Sequence, residues 1–278
     1  MGALIINGDD FGISSATNHA ILRAHREGIL TSASLMVNGA AFEEAVALAK
    51  AHPSLSVGIH LVLAHGRPTL PPSEIPDLVN ERGTFRGNPV IAGMAYFFFP
   101  SLAVQIKKEL EAQIQKFLST GIPLAHLNGH INIHVHPTVL GIISELAARY
   151  SVKKIRLPQE ELCINLRLDR SRWYQKLVQW TIFEILSLSA RWRLKGRGFR
   201  IPDRAYGLLQ IGRMDESYFL GLLETIGDGD YEISFHLGEA PEWPVFYDGR
   251  EELSAVLSKR VRDRIEQSGR KLISYLDL

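Results

Sequence analysis

The chain has one cysteine, no dominant sign of charge and no long apolar run. A single thiol, Cys163, in 278 residues excludes an internal disulfide framework and a multi-cysteine metal cluster, and it fits a reducing compartment. Lys and Arg number 31 against 30 Asp and Glu, a net charge of +1. That balance gives no bulk attraction to polyphosphate, so a dedicated nucleic-acid binder is not expected. No stretch reaches the roughly 18 uninterrupted apolar residues of a membrane span. The first residues lack the basic region and apolar core of a signal peptide. A myristoylation motif needs Ser or Thr where Ile6 stands. A cytoplasmic protein is the expectation. Repeats and low-complexity tracts are also missing. What remains is ordinary globular composition, 46% hydrophobic and 22% charged, in a chain long enough to bury a core without staples.

Short β-rich runs alternate with helical periodicity. Strands are predicted over 3–8, 31–37, 55–63, 124–130, 154–157, 199–201, 231–237 and 271–276. Helices are predicted over 15–27, 42–51, 102–118, 137–150, 173–194, 216–225 and 251–267. Alternation of this kind implies parallel βαβ units and an α/β fold. About eight units suggest a closed or nearly closed (β/α) barrel of the TIM type, with a doubly wound open sheet as the alternative. No linker divides the chain, so residues 1–278 read as one domain. Its one long insertion, 64–100, is interrupted by nine prolines and glycines between Gly66 and Gly93 and reads as an irregular, functional or mobile loop.

Barrel chemistry sits at the carboxyl ends of strands. There the sequence places Asp9 and Asp10 (NGDDFG), Asn38, His60 (VGIHL), His130 (HLNGHINIHVHP), Arg156 and His236 (EISFHLGE). Two imidazoles and one carboxylate from separate strands make an open metal site. A second carboxylate can take a proton from water, and a further imidazole can give one to a leaving group. Those are the parts of amide or ester hydrolysis. Each residue also has a structural reading. The Asp-Asp pair suits a turn and helix cap, His60 a core histidine, and Arg156 a partner for a carboxylate. His136 suits the cap of the next helix, and His126 suits a structural role. His130, His134 and His136 fall at even spacings, one face of an extended segment.

In order, LIINGDDFG, TSASLMVNG, VGIHLVL and HLNGH followed by HVHP resemble the YdjC-like carbohydrate deacetylase family, which includes chitooligosaccharide deacetylases. HLVLAHGRPTLPPSEIPDLV and IRLPQE are similar to its hopanoid-biosynthesis-associated branch. The resemblance implies a deformed (β/α) barrel and one divalent metal ion, magnesium or zinc, on Asp10, His60 and His130. It also implies Asp9 as base, His236 as acid, and hydrolysis of an N-acetyl group from an amino sugar or a glycolipid bearing one. Asn38, Arg156 and His134 are candidate substrate contacts. The sequence departs from the family pattern at Ile131, Asn132 and Leu237. The helix 173–194, apolar with a basic tail, reads as an outer barrel helix or as a peripheral membrane patch. The aromatic run 96–99 would share that purpose or serve as core. Two other classes stay open: a metal-independent glycoside hydrolase, for which Glu239 is the one further carboxylate, and a sugar- or lipid-binding barrel without activity.

Overall fold

The computed structural model describes residues 2–239 and 248–278. In chain order the elements are β1 (Ala3–Phe11), α1 (Ser15–Glu27), β2 (Ser32–Leu35), α2 (Phe42–Ala51), β3 (Ser56–Leu61), α3 (Pro89–Phe98), α4 (Leu102–Ser119), β4 (Leu127–Gly129), α5 (Pro137–Arg149), α6 (Leu162–Leu168), α7 (Trp173–Leu194), β5 (Arg204–Tyr206), α8 (Glu216–Thr225), β6 (Tyr231–Phe235), α9 (Arg250–Leu257), α10 (Lys259–Gln267) and β7 (Lys271–Leu272). Every strand pair is parallel, in the order β4-β3-β2-β1-β6-β5, and β7 pairs with β1. Single bridges carry the ladder on from Leu127 to Ile155 and from Lys154 to Arg200. The stretch after Arg200 leads directly into β5, which pairs with β6. The sheet therefore curls back towards its start as a deformed barrel with helices outside.

The strands follow a period of two. Leu4 and Ile6 of β1, Ile59 of β3, and Ile233 and Phe235 of β6 join the main apolar core beneath the helices. The alternate residues of the same strands face inwards. At the lower end Ile5, Ala125 and Tyr275 form a small apolar plug. Above it the interior turns polar, with Asn7 and Asp9 of β1, Ser34 of β2, His60 of β3, Asn128 of β4 and Glu232 of β6 all buried. Parallel strands covered on both faces usually read as continuous apolar runs. Polar residues at every second position are thus a departure from that pattern, confined to the interior face.

Five expectations need correction. The strands expected over 154–157 and 199–201 are single bridges, and the strand that pairs with β6 is β5, just beyond the latter. The insertion 64–100 is not irregular throughout. Asn88 caps α3 by accepting from the Val90 and Ile91 backbone N–H groups. Buried Glu109 of α4 accepts from Thr69 and Leu70 N–H at 2.7 and 2.9 Å, and Tyr96 Oη donates to the Leu63 carbonyl at 2.7 Å. These bonds satisfy a loop that its prolines deprive of donors. The helix expected over 251–267 is two helices, because Ser258 leaves helical geometry and its hydroxyl accepts from Val261 N–H. The eighth strand shrinks to β7, paired at Ala3 and Leu4, and the chain beyond it delivers Tyr275 into the barrel. The short helix α6 is an addition to the sequence-based expectation.

Candidate active site

The upper end of β1 carries two adjacent carboxylates that a regular strand would point to opposite faces. The pairing resolves this. Gly8 and Phe11 of β1 face Ala33 and Leu35 of β2, with a register shift between them, so β1 holds one residue more than its partner. Such a bulge re-aims a side chain. Asp10 takes a left-handed backbone, φ 61°, and both Asp9 and Asp10 turn inwards. The Asp10 conformation is one that a non-glycine residue adopts at a cost of order 1 kcal/mol or more.

Asp10 meets two imidazoles there. Its Oδ1 lies 3.2 Å from His60 Nε2 and 2.9 Å from His130 Nδ1. One donor atom from each of the three lies within 4.8 Å of the others. Burial pushes the Asp10 carboxyl up, but His130 and His60 outweigh it and hold it well below the carboxylate range. Burial likewise pulls His60 down, yet Asp10 and Asp9 leave it raised. The donor chemistry fits a divalent cation: one carboxylate oxygen and two ring nitrogens from three strand ends. The far side of His60 fits too, since the Asn128 amide lies 2.7 Å from Nδ1. With its oxygen towards the ring, the amide accepts the Nδ1 proton and leaves Nε2 free to ligate. Turned over, it donates to Nδ1, and the Nε2 proton then points at Asp10. Two imidazoles suit zinc or another first-row transition ion better than magnesium, which prefers oxygen.

Asp9 has a different environment. Arg156 Nη1 donates to its Oδ2 at 2.5 Å and Nη2 to its Oδ1 at 2.9 Å. The same guanidinium reaches Glu232 of β6 through Nε at 2.8 Å, and Tyr275 Oη closes the chain on Glu232. Asn7 and Ser34 complete the network, Asn7 Nδ2 donating to Asp9 Oδ1 at 2.8 Å and to Ser34 Oγ at 2.9 Å. Burial alone would raise the Asp9 carboxyl, but Arg156, with His60 and His236, holds it below the usual range. Arg156 is therefore engaged with two carboxylates inside the barrel, the structural reading of its sequence position. His236 Nε2 lies 3.9 Å from Asp9 Oδ2. Burial lowers its pKa, against the pull of Asp9 and Asp10.

These groups open onto a cavity of about 410 Å³ whose lining includes Asp9, His60, His65, His130, Arg172 and His236. That volume suits a small ligand. Backbone strain gathers around it. Six non-glycine residues among those described have positive φ: Asp10, His65, Ile131, Asn132, Ser151 and Arg172. Four of the six line the cavity, and Asp10 belongs to the triad beside it. Strain of this kind persists where surrounding structure enforces it and clusters at functional sites.

Not every sequence candidate reaches the cavity. His134 is fully buried with Nε2 2.9 Å from the Arg156 carbonyl oxygen. Asn38 Nδ2 donates to the Arg67 carbonyl. Neither lines the cavity. His126 stacks on Tyr275 at 3.8 Å between ring centroids, a structural role. His136 precedes α5 without a side-chain cap bond. Besides Glu109 and Glu232, two further buried carboxylates escaped the sequence reading. Glu160 Oε1 accepts from Gly207, Leu208 and Leu209 N–H at 3.0, 2.7 and 3.1 Å. Glu252 Oε2 accepts from His236 N–H at 2.5 Å, and its Oε1 accepts from Met214 N–H at 3.3 Å. Between them they fix the 207–214 wall of the cavity and the backbone of His236. Burial pushes Glu160 up to about 7 and Glu252 up to about 8. Only the polar placement of Glu160 just after the expected strand 154–157, and of Glu252 on an apolar helix face, hinted at them.

The sequence profile of the family described as YdjC-like protein matches residues 3–267. The chain belongs to this family. Among curated relatives, a carbohydrate deacetylase of Brevibacillus brevis is 44% identical over 155 residues, 56% of this chain and 59% of that protein. A carbohydrate deacetylase of Geobacillus stearothermophilus is 43% identical over 148 residues, 52% of this chain and 56% of its own. A chitooligosaccharide deacetylase of Serratia marcescens is 33% identical over 159 residues, 57% and 60% respectively. The matches thus span under two thirds of these relatives' own lengths. A solved structure from Enterococcus faecalis V583, whose description proposes cellobiose-phosphate cleavage, superposes with a TM-score of 0.78. It is 26% identical, covering 99% of this chain and 98% of that one. The curled α/β barrel is therefore shared, over nearly the whole of both chains, with that solved structure.

Proposed function

We propose that the chain is a metal-dependent hydrolase that removes the N-acetyl group of an amino sugar. The observation that carries this reading is the convergence of Asp10, His60 and His130, with donor atoms within 4.8 Å of one another, beside a second carboxylate, Asp9, which Asn128 links to His60. The names of the relatives, carbohydrate and chitooligosaccharide deacetylases, support the same substrate class.

Asp10, His60 and His130 would hold the divalent ion. When bound, it supplies a Lewis acid for the amide carbonyl and lowers the pKa of water. Asp9 is the base. Arg156 and Asn7 orient its carboxylate and keep it ionised. His236 stands on the Asp9 side of the cavity and gives a proton to the departing amine, its backbone held by Glu252. The Asn128 amide sets which His60 nitrogen carries the proton. The water consumed gives its oxygen to acetate, and its two protons end on the amine and on the acetic acid or solvent.

The glycoside-hydrolase alternative needs a second carboxylate across the cavity. Glu239 does not line it, lies 3.7 Å from Arg23 and is 45% exposed. A lipid-borne amino sugar, as the hopanoid-associated branch would imply, is a narrower reading, favoured by the exposed apolar side chains of α3 and α7. The test is acetate release from N-acetylated chitooligosaccharides, before and after chelation and metal return. Release that stops with chelator and returns with zinc, manganese or magnesium supports the proposal. Turnover indifferent to chelator overturns the metal role. A metal-loaded protein that binds oligosaccharide without turnover makes the chain a binding barrel.

A further inference from the structure

Helix α7 carries an apolar face that the fold does not cover. Its buried residues are Lys176, Ser187, Ala190 and Leu194. Lys176 reaches the Asp169 carbonyl at 2.8 Å and its carboxylate at 3.1 Å, so the helix is fastened partly through polar and small groups. Phe183, Leu186 and Leu194 pack on the core, but a second set of bulky apolar side chains points to solvent. Tyr174, Val178, Ile182, Ile185 and Trp192, spaced by three, four or seven residues, are all at least half exposed, Trp192 at 78%. A helix on a soluble surface shows the opposite arrangement. The neighbouring helix α3 repeats the pattern. Val90, Ile91, Met94, Phe97 and Phe98 are exposed while Ala92 and Tyr96 are buried, and no charged residue occurs between Arg86 and Lys107. The two helices flank the start of α5. The Phe97 ring lies 6.4 Å from that of His136, and Arg193 donates to the Pro137 carbonyl at 3.1 Å. Both pack against the turn that carries His130, and Arg172, just before α7, lines the cavity.

Charge distinguishes the occupants such a surface could have. Residues 167–200 carry nine Lys and Arg against two carboxylates, Asp169 and Glu184, in a chain whose net charge is +1. Asp169 is already paired with Lys176, and Glu184 accepts from Gln159. The exposed ends of α7 are therefore basic, with Arg170 before Trp173 and with Arg193, Lys195 and Arg197 around and after Trp192. Apolar residues along one face, an indole at each end and arginines beyond them suit a helix lying flat in a bilayer interface. The rings rest at headgroup depth and the cations meet lipid phosphates. Among the described residues no single helix is long and apolar enough to cross a membrane, and α3 with α4, which would qualify together, are bent by 120°.

We propose that the outward faces of α7 and α3 form a monotopic docking surface for an anionic phospholipid bilayer, placing the cavity beside the lipid interface. The inference rests on the fold and not on the deacetylase reading, so each can fail without the other. Flotation of the full chain with vesicles tests it, using phosphatidylcholine mixed with phosphatidylglycerol, and phosphatidylcholine alone. The chain is expected to float with the mixed vesicles, at least about tenfold more weakly with the neutral ones, and less at high salt. Ile185→Glu and Phe98→Glu, both at exposed positions, should each cut partitioning by about tenfold or more. They should keep the wild-type circular dichroism and acetate release from soluble oligosaccharide. Recovery of wild type in the vesicle-free fraction overturns the proposal. So does self-association by sedimentation equilibrium that these substitutions abolish without any vesicle binding, which would assign the face to a second copy.

Discussion

Arg156 grips both oxygens of Asp9 and, through the other edge of the same guanidinium, Glu232. A cation between two carboxylates inside a barrel offsets one of the two negative charges that burial would penalise. It also prevents the Asp9 carboxylate from rotating. The arrangement is costly to break on one side only, because two largely buried charges then lose their partner.

Arg156→Met should therefore destabilise the protein by about 3–5 kcal/mol, measured by urea unfolding at neutral pH. Arg156→Lys keeps the charge but not the planar fork and should lose less stability than Met. Its kcat should nevertheless fall by roughly tenfold or more, through misorientation of Asp9. A Lys variant with wild-type kcat and KM would show that the fork does not orient the base.

Removal of His130 addresses the ion. His130→Ala should abolish stoichiometric zinc binding in equilibrium dialysis and lower acetate release by roughly 100-fold or more. Folding should survive, since His130 is only partly buried. Zinc retained at full stoichiometry would mean that another residue supplies the third donor.

Glu160 predicts a pH dependence of stability. Burial raises its pKa from 4.5 to about 7, so between those values the folded chain holds a proton that the unfolded chain has lost. Stability from this group is then full below about pH 4.5 and falls as pH rises through 7, by about 1.4 kcal/mol per pH unit within that window. Glu160→Gln cannot lose that proton. Urea unfolding at pH 5 and pH 8 should show a smaller drop in the variant than in wild type. Parallel drops would remove Glu160 as the cause.

At the cavity wall, Gly207 has φ 127°, and a Cβ there would sit 2.4 Å from the Ser234 carbonyl oxygen. Gly207→Ala should cost about 1–3 kcal/mol. It should also raise KM for the sugar more than it lowers kcat, because the wall moves while the triad does not. A change in kcat alone would place the effect at the reacting groups.

How much of this was readable in the chain depends on where the determinants lie. Period-two alternation and capping residues are local, so strands such as β3 and helices such as α1, α7 and α8 coincide closely with expectation. The candidate ligands were legible because a polar residue ending an apolar strand is conspicuous and a barrel gathers strand ends at one rim. Long-range partners were not legible. Nothing near Asp9 in sequence announces Arg156, 147 residues away, or tells whether that arginine faces substrate or carboxylate. Glu160 and Glu252 act on backbone N–H groups, which leave no trace in a residue pattern. The insertion misled because its prolines and glycines signal turns, while its order comes from Glu109 and Tyr96, whose contacts lie outside any local window.

The extra residue of β1 between Gly8 and Phe11 also bears on engineering. Deleting one position there would straighten the strand and send one of the two acidic groups outwards among the helices, with every side chain of the centre otherwise intact. A graft of this chemistry onto an idealised scaffold must copy the irregularity along with the residues. An alignment that opens a gap at that point compares centres that no longer share a geometry.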